Sequence, residues 1–445
     1  MEKVRCLILG AGIAGLSCAR ELTDHNIECT IYEKNDFVGG LCHSFQVNGF
    51  SFDSAVHLSF TNSDEVRSVF DQTPFLSHKP IAYNFYDGLW VKHPIMNNLY
   101  EFPVEERVNL ISSLAERDSS ITVNNYEDYL HASYGVPSSE KFFDVYTRKY
   151  WTAEPDELST TWVGNRLAKP DLKKILRGAM QLETGMDYYA KEMRYPENGG
   201  YESFLNPIKD GLDIHLGKEA VSIDTENKVV EFSDGESVSY DYLFTSIPLP
   251  KLIEIIKAKD EAVIENAKEL SASSISIVSV GFNKPDVARY LWMYVYDEDI
   301  KTARIYSPSL KSPNNVPEGY SSLQFEIYHN PGKELIKEGK SKSLSANEEY
   351  KPEKDGILEN VRYSIKKMNL CNDSDIAFMD YRYLPYGNVI FYKGMEGYRQ
   401  VCRDFLKGKD IYGIGRFGEW DYLWSDQSFL SGKRAADELI GLLRV

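Results

Sequence analysis

Gly10-Ala11-Gly12-Ile13-Ala14-Gly15 is spaced to hold a dinucleotide diphosphate against bare backbone. Gly10 permits a tight turn, Gly12 lets the main chain reach phosphate oxygens, and Gly15 lets a helix pack closely on the preceding strand. Ile13 and Ala14 stand in the first helical turn, where unpaired N–H groups and the helix dipole favour negative charge. Glu33, followed by Lys34, falls 23 residues after Gly10, where a carboxylate accepts hydrogen bonds from ribose hydroxyls. Gly39-Gly40-Leu41 adds a second place where backbone amides can approach a ligand, although a glycine pair alone also reads as a plain turn.

These residues work only if the right elements carry them. Val4 to Leu9 is a short apolar run that reads as a buried parallel strand, Leu16 to Asp24 has helical spacing, and Glu28 to Tyr32 is a second strand. Strand, glycine turn, helix, strand and acid therefore follow in the order a dinucleotide site needs. Further on, Val221 to Val238 predicts short strands around an Asp234-Gly235 turn, and Tyr240 to Pro248 a strand closed by proline. Ile411 to Gly415 predicts another buried strand, and Gln427 to Leu443 a terminal helix. Residues 100–195 read as helix-rich and 273–385 as strand-rich. Gly332 to Gly356, rich in Lys, Glu and Ser without an apolar period, is expected to be a solvated insertion away from any active site.

Composition narrows the function. The 445 residues are 42% hydrophobic and carry a net charge of −17, which repels nucleic acid and demands local cations around any anionic substrate. Six scattered cysteines form no CxxC pair and no metal-ligand cluster, so reduced thiols, a cytoplasmic setting and no metal are expected. No apolar run reaches the roughly 20 residues of a membrane span, so no stable membrane insertion is expected.

The Gly39-Gly40 pair resembles the second fingerprint of FAD proteins of the glutathione-reductase-like and amine-oxidase-like group, which favours FAD over NAD. Four more segments resemble the UDP-galactopyranose mutase family, and its eukaryotic-type branch more than the bacterial one. They are Phe52 to His57; Tyr146 to Arg166; Trp292 and Tyr294 with Arg304; and Gly415 to Tyr422 followed by Asp426-Gln427-Ser428-Phe429. The resemblance implies an α/β fold: a discontinuous Rossmann-like FAD-binding domain (1–75, 195–270, 386–445), a mainly helical nucleotide subdomain (76–194) and a mixed-sheet substrate domain (271–385). It implies interconversion of pyranose and furanose forms of a nucleotide-diphosphate sugar, through a reduced-flavin N5–glycosyl adduct and without net redox. An external reductant such as NAD(P)H would first reduce the flavin.

Carried over residue by residue, the resemblance puts Arg166 and Arg304 on the diphosphate and His57 and Arg416 at the flavin. It puts Trp151 near the base, Tyr294 and Tyr422 at the phosphates, Trp292 among the substrate-binding residues, and Asp426, Gln427 and Ser428 at the flavin-side helix start. Asn388, also a substrate-binding candidate, lies in Tyr386-Gly387-Asn388, where the family tyrosine near the sugar lacks a clean match. Arginine suits the phosphate role because its planar fork pairs with two oxygens and stays charged. Other readings stand beside these: Trp162 to Leu167 also fits an amphipathic helix with Arg166 on its surface, His57 a satisfied core histidine, and Asp426 an N-cap. Departures cluster at the base strip, where His93, Ile95 and Met96 replace two aromatics and a glutamine before Asn97, and Thr147 replaces an asparagine. Ala55-Val56 stands where the family has two glycines. Loss of base-reading groups changes nucleotide choice, so the base need not be uracil. The FAD motifs fit an amine oxidase, protoporphyrinogen oxidase or desaturase-like oxidoreductase equally well, although that reading gives the two arginines no role. A catalytically silent flavin-fold binding protein is a third reading, against which the density of flavin-side residues argues. Monomer and dimer stay open.

Overall fold

The computed structural model describes residues 4–164, 166–167, 169–182, 185 and 191–443. Five parallel strands form the first sheet, in the order Ile411–Gly413, Tyr242–Thr245, Arg5–Leu9, Glu28–Tyr32, Ile214–His215. The strands come from the start, middle and end of the chain, which is the discontinuous arrangement expected. Leu7, Ile8 and Leu9 are covered on both faces, as the apolar run requires. The helix Ile13–Asp24 follows the glycine turn and lies against the terminal helix Ser425–Leu443. A Cβ at Gly432 would enter the contact shell of the Ala14 carbonyl, so glycine there allows the two helices to meet backbone to backbone.

The second sheet has seven strands, ordered Ile376–Leu384, Ser274–Phe282, Ser321–His329, Arg304–Tyr306, Trp292–Val295, Tyr83–Tyr86, Leu89–Lys92. It is antiparallel except where Trp292–Val295 meets Tyr83–Tyr86. The hairpin over 83–92 thus belongs to this sheet although it precedes the helical stretch, pairing in parallel with Trp292–Val295. The helices Val104–Glu116, Tyr126–Tyr134, Asp144–Tyr150 and Leu172–Met180 follow, with a π-helical turn over Ser139–Phe143 leading into the third.

One alternative and one expectation do not hold. Where Trp162 to Leu167 also fitted a helix with Arg166 on its surface, the described residues lie in turns and bends, and Arg166 is half-buried. The segment 332–356 is not merely solvated. It contains the helix Ala346–Glu349, buries Leu335 and Ala346, and Asn347 Nδ2 donates to the carbonyls of Ala272 (3.0 Å) and Pro385 (2.6 Å). A few anchoring side chains in short helices leave no apolar period to detect. Among the described residues, no helix is long and apolar enough to cross a membrane, and no cluster of acidic, histidine or cysteine side chains is placed to hold a metal.

Candidate functional site

A cavity of about 1290 Å³ runs from the glycine loop, between the two sheets, to the helices. At its nucleotide end Gly12 lines the wall, and a Cβ built there meets nothing within 4 Å: the space over the helix start is kept open. Gly15 lies behind the wall, where a Cβ would collide with the Gly10 carbonyl. Gly39 donates its N–H to Ala11 O at 2.9 Å, which lays the second glycine pair against the first loop, with Gly40 and Leu41 at the cavity. The buried Glu33 carboxylate takes the Ala11 N–H on one oxygen (2.8 Å) and the Asn35 N–H on the other (2.9 Å). Lys34, beside it, faces Glu348 at 3.9 Å.

In the middle, His57 Nδ1 lies 2.9 Å from Ala55 O and Nε2 lies 3.8 Å from Cys42 Sγ, with the ring stacked on Tyr201 at 4.8 Å. Burial pushes the His57 pKa down to about 4 and the Cys42 thiol up to about 12, so the ring is neutral and the sulfur protonated. Arg416 donates through Nε to Leu423 O (2.8 Å) and through one terminal nitrogen to Gly387 O (3.2 Å) and Asn388 Oδ1 (3.1 Å). All these acceptors are neutral. Ser428, on the first turn of the terminal helix, reaches the wall; Asp426 and Gln427 do not line it, and Gln427 instead accepts the Trp424 N–H at 2.9 Å.

The far end is made of side chains. Arg166 donates to the carbonyls of Trp162 (2.8 Å) and Tyr422 (2.7 Å) and stacks on the Tyr422 and Trp424 rings at 4.6 and 5.2 Å. Arg304 lies over Tyr150, Trp292 and Tyr328 and donates Nε to the buried Glu326 carboxylate. Tyr422 shares a 2.8 Å hydroxyl contact with Tyr150, and Trp151 packs edge-on against Tyr422 at 5.1 Å. Tyr294 sits against His93 at 4.8 Å, beside Met96 and Asn97 at the wall, while the Thr147 hydroxyl is turned back onto Phe143 O at 2.7 Å. The expected site residues other than Gly15, Asp426 and Gln427 therefore converge on one cavity.

The buried polar atoms of the lining side chains that lack a partner are Trp162 Nε1, Arg166 Nε, Trp292 Nε1, Tyr386 Oη and Asn388 Nδ2. Each carries a proton to donate. A buried donor left unpaired costs about 1–3 kcal/mol, so this wall suits a ligand rich in acceptors, as a diphosphate or an isoalloxazine is. Trp162, Tyr150, Cys42, Glu326, Tyr328 and Glu348 are wall or supporting residues that sequence reasoning missed. Only Glu326 left a trace: Gln324, Glu326 and Tyr328 alternate with Leu323, Phe325 and Ile327, a pattern that by itself reads as a solvent face.

The model of the family described as flavin containing amine oxidoreductase matches residues 13–440. The crystal structure of reduced UDP-galactopyranose mutase superposes with a TM-score of 0.88 at 26% identity, covering 99% of this chain and 96% of that one. A 1-hydroxycarotenoid 3,4-desaturase from a Flavobacterium species is 39% identical over 74% of this chain and 77% of its own length. A "Probable UDP-galactopyranose mutase" of Klebsiella pneumoniae is 25% identical over 56% of this chain and 62% of its own.

Proposed function

This chain belongs to the flavin-containing amine oxidoreductase family, and from that premise we propose that it is a nucleotide-sugar mutase interconverting pyranose and furanose rings without net redox. It is an enzyme of a flavin-using superfamily; the choice of mutase within it rests on one observation. In a protein of net charge −17, the cavity arginine Arg166, away from the expected flavin side, has only neutral carbonyl acceptors among its hydrogen bonds to described residues. Arg416 likewise meets only neutral acceptors, but at the flavin side it serves either reading. A half-buried cavity guanidinium without a carboxylate suits an anionic ligand, and a polyene or a free amine supplies none.

FAD would be held by the backbone at Gly12, Gly39, Gly40 and Leu41, by the helix start at Ile13 and Ala14, and by Glu33 and Lys34 at the ribose. Reduced FAD supplies the electron-rich centre that exchange at an anomeric carbon requires. Arg416 would place positive charge at the flavin, Ser428 would stand at the adjoining helix start, and Asn388, whose Oδ1 accepts from Arg416 at 3.1 Å, would face the sugar. His57 is a neutral packing surface whose Nε2 faces the Cys42 thiol, so it does not bring a second proton donor to that side. Arg166 and Arg304 hold the diphosphate while it is detached and return it, and Tyr294, Tyr422 and Trp292 donate hydrogen bonds to it. Trp151 supports this aromatic wall, and Met96, Asn97 and Thr147 line the base strip. Holding both halves of the substrate in one cavity favours return over escape. NAD(P)H serves as external reductant, and the setting is cytoplasmic.

The second reading, a desaturase-like oxidoreductase, has the 39% identity to the carotenoid desaturase in its favour. One assay separates the two. The purified yellow protein, reduced with dithionite, should convert a nucleotide hexopyranose such as UDP-galactopyranose to its furanose form, and the oxidised protein should not. Oxygen-coupled turnover of a polyene or amine by the oxidised protein, with no ring isomer from the reduced one, would overturn the mutase reading.

A further inference from the structure

The arginines at the far end are not equivalent. Arg304 and Glu326 stand opposite each other on neighbouring antiparallel strands, so the sheet register itself makes the pair. The Glu326 side chain is wholly buried, and Oε2 takes Arg304 Nε together with the Tyr328 hydroxyl at 2.8 Å. Its other oxygen takes the Val56 N–H at 3.2 Å, next to His57. The guanidinium is caged by Tyr150 at 5.1 Å, Trp292 at 5.4 Å and Tyr328 at 5.8 Å. Arg304 can therefore offer a phosphate only its terminal nitrogens, in one orientation. Arg166 donates to carbonyls alone and keeps its full charge.

We propose that Glu326 is a positioning residue of the diphosphate site: it aims Arg304, offsets its charge, and ties it to the loop carrying His57. The proposal rests on the reading of Arg166 and Arg304 as the diphosphate fork. Its physical sense is release. A buried anion held by two uncompensated guanidinium groups binds tightly and leaves slowly, whereas a mutase must hold the diphosphate and then give it back. With Glu326 in place, Arg166 supplies the net attraction and Arg304 supplies direction.

The test uses the flavin-loaded enzyme, with inorganic pyrophosphate and UDP as probes titrated by calorimetry. Glu326→Gln, which keeps the shape and removes the charge, should tighten both probes by about tenfold and lower turnover, because unmasking a buried cation strengthens its hold on an anion. Tyr328→Phe removes one donor from Glu326 and frees the carboxylate to neutralise Arg304 more fully, so it should weaken both probes by about threefold. Opposite signs are the signature, since a merely structural role would weaken binding in both variants. Unchanged or weaker binding by a folded Glu326→Gln overturns the proposal. If that variant does not fold, Tyr328→Phe decides: weaker binding supports the proposal, and unchanged or tighter binding overturns it. If the parent binds neither probe, the nucleotide-diphosphate reading fails and this proposal with it. If the parent binds and Arg166→Ala weakens it, failure of the Glu326 signature counts against Glu326 alone.

Discussion

The two ends of the cavity are built from different materials. At the nucleotide end the wall is main chain: Gly12, Gly39 and Gly40 present backbone, and Glu33 is pinned by N–H groups from its own βαβ unit. At the far end it is side chain: Arg166, Trp292, Arg304 and Tyr422 arrive from distant segments and meet through aromatic, ionic and hydrogen-bond contacts. A backbone site depends on glycine at a few positions and needs few particular side chains, and a side-chain site is the reverse. Substitutions at the two ends should fail in different ways.

The largest effect is expected at the far end. Arg166→Ala should weaken binding of a nucleotide diphosphate such as UDP by about 3–4 kcal/mol, the range for removing one partner of a buried charged contact, with bound flavin unchanged by absorbance. A variant that lost flavin instead would show that the two ends are not separable. Gly15→Val should do the opposite, lowering stability by about 2–3 kcal/mol through overpacking against the Gly10 turn and shedding flavin, as thermal unfolding and flavin absorbance would register. Retention of flavin with a normal melting temperature would break the backbone account. Glu33→Gln keeps the shape and removes the charge; it should weaken flavin binding by about 1–2 kcal/mol, typical of a hydrogen bond to a charged group, and leave UDP binding alone.

The smallest effect is one of pH. Burial holds both His57 and His93, at the middle and far end, at a pKa of about 4. The folded chain therefore leaves these rings unprotonated down to about pH 4, while the unfolded chain protonates them below about pH 6.5. Stability should fall as pH drops from 6.5 towards 4 and be insensitive to these groups above 6.5. His57→Gln should flatten part of that fall in a melting-temperature series, and an identical slope would show that His57 is not buried neutral.

The same contrast explains what could be read in advance. Gly10 to Glu33 was legible because every requirement there is local: a turn, a helix start and an acid at fixed spacing. Arg166 and Arg304 were found through family likeness, not through any local pattern, and the surroundings of Arg166 admitted a helix that the structure does not contain. Glu326 was invisible as a site residue because alternation on a strand marks a polar face without saying what covers it. That face is buried, and strand register delivers Glu326 to Arg304. Glu348 was hidden for a related reason: its segment looks like a solvent loop, yet two hydrogen bonds from Asn347 dock it near the cofactor end, where Glu348 meets Lys34 and Lys251.

By itself the sequence determined the glycine-loop end of this cavity, because a backbone wall depends on conformations that glycine and an uncapped helix start encode within some thirty residues. Only the tertiary structure decided which arginine carries uncompensated charge and which is held by a carboxylate. That difference arises between strands and loops far apart in the chain, where burial removes water as the competing partner and leaves register to choose the neighbour.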